Sequence, residues 1–125
     1  MEALLARARG HDITGPLARL DSLGGLGLQG YGEYSLNLLA SQLHESRGDR
    51  RGALAALRRR AYIGDGAIML TTYLREEGRL AALTGDRDGA IAAYRHYLAL
   101  RAAPEPALVP DVNRVRAALA ALSER

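Results

Sequence analysis

The chain has 125 residues, the length of one domain, and 48% of them are apolar. It contains no cysteine, which excludes disulfides, thiol catalysis and thiolate metal sites. All 17 basic residues are arginine, and against 14 acids they leave a net charge of +3, too small to indicate nucleic-acid binding. No stretch approaches the ~20 apolar residues of a membrane span, and Arg7 and Arg9 interrupt any signal peptide. We therefore expect a cytoplasmic protein without a membrane or nucleic-acid partner.

The spacing of apolar residues predicts helices throughout the chain. Leu36, Leu39 and Leu43 show the i, i+3, i+7 pattern of one helix face. No four-residue stretch alternates β-branched and polar residues, so the predicted fold class is all-α. In chain order, the helices are predicted near residues 2–9, 15–23, 31–47, 50–60, 67–84, 87–101 and 109–123.

A segment of eleven residues recurs 37 positions later in the chain. The copies that begin at Gly48 and Gly85 are identical at eight of the eleven positions. In each copy the Gly is predicted to end one helix, and the Asp that follows it to cap the next. A step of 37 residues towards the N-terminus gives a degenerate copy that keeps Asp12, Gly15, Leu17, Ala18 and Leu20.

The repeat predicts how the chain is organised. We expect a single domain with a degenerate repeat at about 1–30 and complete repeats at about 31–66 and 67–103. A closing helix follows at about 109–123, where Pro110 suits the first turn. Such a helix covers the apolar face of the last repeat.

This pattern resembles the tetratricopeptide (TPR) repeat, a pair of helices A and B joined by a short turn. The period of 37 residues departs from the usual ~34, and helix A lacks its early Trp. The stretch from Tyr73 to Leu122 is also similar to the TPR region of large bacterial signalling proteins, including serine/threonine kinases and transcriptional activators. The matching positions in the middle copy are Ser41, Gly48, Asp49, Ala53, Leu57 and Ala61. Those in the third copy are Gly78, Gly85, Asp86, Ala90, Tyr94 and Leu98.

The resemblance implies an all-α solenoid of about three repeats whose A helices line a concave groove. It also implies a non-enzymatic scaffold that binds a peptide or protein segment there. Arg75 and Arg79, one turn apart, would grip the carboxylate of an acidic or C-terminal segment, unless Glu76 neutralises them. The implied groove positions are Ser35, Leu38, Gln42 and Glu45 in the middle copy, and Thr72, Arg75, Arg79 and Ala82 in the third.

A second hypothesis is a structural protein whose repeats stack between chains into oligomers or filaments. A first repeat without a neighbour would expose a set of leucines and so recruit another copy of the chain. These leucines are Leu4, Leu5, Leu17 and Leu20.

Nothing in the sequence indicates an enzyme, a cofactor or a metal. His11, His44 and His96 have no metal-ligand spacing, and we expect His44 to be a partly buried, hydrogen-bonded residue. Glu76 and Glu77 are helix neighbours that point about 100° apart and cannot share a site. The arginine run at residues 58–60 is expected to complement a helix C-terminus, or to contact a partner.

Three packing predictions follow from the repeat register. Ala53 and Ala90 should lie at the tight contacts between helices A and B. Tyr94 should be packed into the core of its repeat, where the middle copy has Leu57. Tyr97 should differ from it and face the closing helix.

Overall fold

A computed structural model describes residues 12–24, 31–59 and 67–124, and these ranges contain helices and no strand. The all-α prediction is confirmed, and each described helix lies within about two residues of its predicted bounds. The helix predicted at 2–9 falls outside the described residues. The helices are α1 Thr14–Gly24, α2 Tyr31–Ser46, α3 Arg50–Arg58, α4 Ala67–Leu83, α5 Arg87–Leu100 and α6 Val109–Ser123, with a 3₁₀ turn at Pro106–Leu108.

The chain divides into two compact units, Met1–Gly66 and Ala67–Arg125. Their border coincides with the predicted border between the second and third repeats. In the first unit, α2 packs against both α1 and α3. In the second unit, α5 packs against both α4 and α6. The described part of each unit thus contains three helices, of which two form a complete helix pair.

The two Gly-Asp turns have the same backbone geometry. Gly48 and Gly85 have φ angles of +81° and +87°, in the left-handed region that favours glycine. The amide of the next residue donates to the carbonyl five residues earlier, over 3.0 Å at Asp49 and 2.9 Å at Asp86. This bond and the glycine conformation form the helix end known as a Schellman motif. The 37-residue repeat is therefore present in the backbone as well as in the sequence.

The aspartate after each glycine caps the following helix, as predicted. A side-chain oxygen of Asp49 accepts from the amide of Gly52 over 2.8 Å, and Asp86 accepts from Gly89 over 3.0 Å. Each carboxylate satisfies a backbone donor that has no partner within its own helix. The aspartate after each glycine therefore closes one helix through its backbone amide and caps the next helix through its side chain.

The core of the first unit bears on the assembly hypothesis. A first repeat without a neighbour would expose Leu17 and Leu20, but only 2% and 6% of their surfaces are accessible. They pack in one cluster with Ala40 and Leu43 of α2 and Ala56 of α3. The apolar face of α1 is therefore covered by the helix pair of its own unit. Leu4 and Leu5 lie outside the described residues.

The core of the second unit contains both tyrosines of interest. The burial of Tyr94 is confirmed, but Tyr97 is equally buried, with 6% and 3% of their surfaces exposed. Tyr97 was predicted to face the closing helix, and it shares a cluster with Val112 and Val115 of α6, which also contains Tyr94. Ala53 and Ala90 are fully buried, in agreement with their predicted places at tight helix contacts.

Candidate functional site

The predicted partner-binding residues of the middle repeat lie on α2, in the first unit. Gln42 is exposed, and Leu38 and Glu45 are half-buried. The side chain of Ser35 is outside the described part of the structure, although its backbone belongs to α2. The described side chains therefore leave this face partly open to solvent.

The predicted residues of the third repeat lie on α4, in the second unit. Thr72, Arg75 and Arg79 are all half-exposed, and the two arginine side chains keep 40% and 39% of their surface accessible. Residues separated by three, four and seven positions share one face of a helix. The helix thus presents these three side chains together, as the sequence predicted.

The arginines belong to an ion-pair network that joins α4 to α6. Arg79 donates from Nη2 and Nε to Oε2 of Glu76, over 2.7 and 3.1 Å. Nη1 of Arg75 lies 3.5 Å from Oδ2 of Asp111, and its Nε lies 3.9 Å from Oε1 of Glu76. Arg114 pairs with Oδ1 of Asp111 over 2.9 Å. The alternative in which Glu76 pairs with both arginines is therefore the one found.

A groove runs between α4 and α6, and α5 forms its floor. At one end, Arg75 meets Asp111; at the other, Ala82 and Ala118 line the same pocket. Ala82 follows Arg75 by seven residues on α4, and Ala118 follows Asp111 by seven residues on α6. The two helices α4 and α6 therefore run in the same direction. Seven residues of helix span about 10 Å, so the ion-pair contact and the pocket lie about that far apart along each helix.

The apolar end of the groove is a half-open pocket of about 290 Å³. Its wall is mostly apolar, with small alanine side chains on α4 and α6 that leave the concavity open. The lining residues are Ala82, Leu83, Tyr94, Ala118, Ala121 and Leu122. Only Ala82 was among the predicted groove positions; of the other lining residues, Leu83 is its neighbour on α4, and the rest come from α5 and α6 rather than from a second A helix.

Tyr94 places the charged and apolar parts of the groove next to each other. A Cβ atom built on Gly78 would overlap its ring, so the ring lies directly across the α4 backbone. Burial raises the pKa of the Tyr94 hydroxyl, the nearby Arg79 guanidinium lowers it and the Glu76 carboxylate raises it. Both charges therefore act at the floor of the pocket.

A second polar cluster ties together the elements of the first unit. His44 lies with Nε2 2.7 Å from Oδ2 of Asp21 and with Nδ1 3.1 Å from Oδ2 of Asp49. Nη2 of Arg59 lies 2.8 Å from Oδ1 of Asp21. The amide of Gly52, followed by His44, holds the pKa of the Asp49 carboxyl below its usual value. The expectation of a partly buried, hydrogen-bonded His44 is confirmed, and the cluster links α1, α2 and α3.

One buried amide was missed by the analysis of the sequence. Asn37 exposes 1% of its surface, and neither atom of its side-chain amide has a hydrogen-bond partner. The repeat register aligns it with Leu74, a core residue of the second unit with 1% exposure. That alignment was the available signal, because it places a polar side chain at a position that the fold buries.

Within the described ranges, no three metal-ligating side chains are grouped together. No helix in the same part of the chain has the length and apolar character to cross a bilayer. No protein-family model, curated protein or solved structure matches the chain. The groove of the second unit is therefore judged on its own residues.

Proposed function

We propose that the chain is a non-enzymatic protein-interaction scaffold built from TPR-like helix pairs. It binds a peptide or protein segment on the exposed face of an A helix, which α2 offers in the first unit and α4 in the second. The observation that carries the proposal is the Gly-Asp turn, which occurs twice with similar φ angles and the same caps. Repeated helix pairs of this kind are used in proteins as surfaces for binding other chains.

The network on α4 supports an acidic or C-terminal segment as the ligand. Arg75 and Arg79 each keep about two-fifths of the side chain exposed. Glu76 keeps 28% of its side chain exposed, so water partly screens its pairs with the arginines, and a ligand carboxylate can compete with Glu76 for them. The planar guanidinium of Arg then offers two parallel donors to the incoming carboxylate.

A peptide selected on the wild-type chain from a random display library provides the test. We expect the Arg75→Gln/Arg79→Gln variant to bind it about ten- to a hundredfold more weakly, and the wild-type affinity to fall as salt rises. The matched control is Arg95→Gln/Arg116→Gln, which removes the same charge at exposed positions on α5 and α6. Equal affinity in both variants, or unfolding of the first alone, would contradict the proposed role of α4.

The described structure gives no separate support to assembly through the first repeat. That hypothesis depended on exposed leucines, and Leu17 and Leu20 are buried within their own unit. We therefore propose only the scaffold function.

A further inference from the structure

His44 is a polar residue at a position where the repeat also accepts an apolar one. The equivalent residue of α4, 37 positions later, is Ala81, which is fully buried. His44 instead keeps 17% of its side chain exposed and contacts the carboxylates of Asp21 and Asp49. Both helices end in the same Gly-Asp turn, so that turn does not depend on a histidine. The contacts of His44 therefore call for an explanation beyond the repeat.

The two contacts of His44 require more hydrogens than a neutral imidazole supplies. Nε2 lies 2.7 Å from Oδ2 of Asp21, and Nδ1 lies 3.1 Å from Oδ2 of Asp49. A neutral imidazole carries one N–H, so its other nitrogen presents a lone pair. An ionised carboxylate only accepts hydrogen bonds, and it repels a lone pair that faces it. Both contacts are hydrogen bonds only when the imidazole binds a second proton.

Each of the two carboxylates accepts from another donor on its second oxygen. Oδ1 of Asp21 accepts from Nη2 of Arg59 over 2.8 Å, and Oδ1 of Asp49 accepts from the amide of Gly52, also over 2.8 Å. The Gly52 amide lowers the pKa of the Asp49 carboxyl, which is therefore ionised near neutral pH. The charged side chains around the imidazole are Asp21 of α1, Asp49 and Arg59 at the two ends of α3, and Arg47 of α2.

These contacts join α1 to the helix pair of its unit. Asp21 belongs to α1 and His44 to α2. The packing of α1 on α2 and α3 buries Leu17 and Leu20, which expose only 2% and 6% of their surfaces. Arg59 also contacts Asp21, but an arginine stays charged throughout the physiological pH range. The contact of His44 is therefore the part of this junction that responds to pH near neutrality.

We propose that the cluster of Asp21, His44, Asp49 and Arg59 is a pH-sensitive switch, which holds α1 closed over the apolar core of the first unit when His44 binds a proton. The closed form binds one proton more than the open form, and that proton passes to water on opening. Mild acid therefore favours closure, and rising pH favours opening. Histidine side chains generally change charge between about pH 5 and 8, which is the range of the switch. The inference is independent of the peptide-binding role proposed for α4.

Amide hydrogen exchange within α1 measures this opening directly. Protection factors of Leu17 and Leu20 in the wild-type chain, corrected for the intrinsic pH dependence of exchange, are compared at about pH 6 and about pH 8. One proton can change an equilibrium by at most about tenfold per pH unit. We expect protection to be roughly tenfold higher at the lower pH. The ring ¹⁵N resonances of His44 should there show two protonated nitrogens.

The decisive variant is Asp49→Asn. Its side-chain oxygen can still accept from the amide of Gly52, while its nitrogen can donate to Nδ1 of His44. A neutral imidazole then satisfies both contacts, because Nδ1 accepts and Nε2 donates to Asp21. The protection of α1 should therefore no longer fall as the pH rises. A residue that only capped α3 would have no such effect on α1.

The matched control is Asp12→Asn, the same substitution at a carboxylate outside the cluster. Asp12 accepts from the amide and the hydroxyl of Thr14 at the start of α1. This variant should keep the pH dependence of the wild type, whatever its overall protection. Retained pH dependence in Asp49→Asn, or its loss in Asp12→Asn, would overturn the inference.

Two results on the wild-type chain would also overturn it, and neither depends on how a variant folds. The first is protection of Leu17 and Leu20 that is equal at the two pH values or greater at the higher one. The second is a set of His44 ring resonances typical of a neutral imidazole at about pH 6. The library-selected peptide still tests the scaffold function separately, through α4.

Discussion

Replacing Gly78 by Ala should destabilise the second unit, although alanine is the better helix former. In an exposed helix interior, the change would stabilise by up to about 1 kcal/mol. At Gly78, however, the new methyl group would overlap the ring of Tyr94. That ring is only 6% exposed and is packed in the core cluster of the second unit, so it has little room to move. Overpacking of this kind costs about 1–3 kcal/mol. We expect a net loss of about 1–2 kcal/mol, measured by urea unfolding.

The chain offers a control and a rescue for this prediction. A Cβ built on Gly15 of α1 meets no atom within 4 Å, so Gly15→Ala should be neutral or stabilising. The middle repeat has Ser41 and Leu57 at the positions of Gly78 and Tyr94. Gly78→Ser/Tyr94→Leu should therefore be more stable than Gly78→Ser alone. With the wild type and Tyr94→Leu, these two variants form a double-mutant cycle within the repeat. Stabilisation by Gly78→Ala, or strict additivity in the cycle, would refute the proposed packing.

Two further predictions concern the first unit. Asn37→Leu should stabilise the first unit by about 1–3 kcal/mol in urea unfolding, because the substitution removes a buried amide without partners. Destabilisation would show that the amide is hydrogen-bonded. Asp49 has a lowered pKa, so its contribution is present above the pKa of the unfolded chain and is lost as the pH falls through the lower folded value. Unfolding midpoints of the wild type and Asp49→Asn should therefore differ at pH 7 and converge in strong acid; a constant difference would contradict the carboxylate's role.

The helices and turns could be predicted because their causes are local. Apolar spacing defines a helix face, and a Gly-Asp pair carries both the left-handed residue and the cap. What covers a face is not local, which is why the sequence left open whether Leu17 and Leu20 are covered by their own chain or by another copy of it. Their pattern shows one apolar side of α1, but only the packed structure shows that α2 and α3 cover it.

The candidate site likewise has some features that follow from local sequence spacing and others that depend on how the helices pack. The shared face of Arg75 and Arg79, and the i, i+3 pairing of Arg79 with Glu76, follow from helix spacing alone. The contact of Arg75 with Asp111 depends on where α6 lies against α5, which no local pattern specifies. The pocket around Leu83 was missed for the same reason, although the comparison of Leu83 with Ser46 was available in the repeat.

The central claim is that the α4 face binds the partner of this scaffold. The most direct test follows the side-chain Nε–H resonances of the arginines during titration with the library-selected peptide. The account predicts that the signals of Arg75 and Arg79 shift saturably, while those of the exposed Arg95 and Arg116 stay in place. Shifts confined to Arg95 or Arg116, with Arg75 and Arg79 unchanged at saturation, would contradict it.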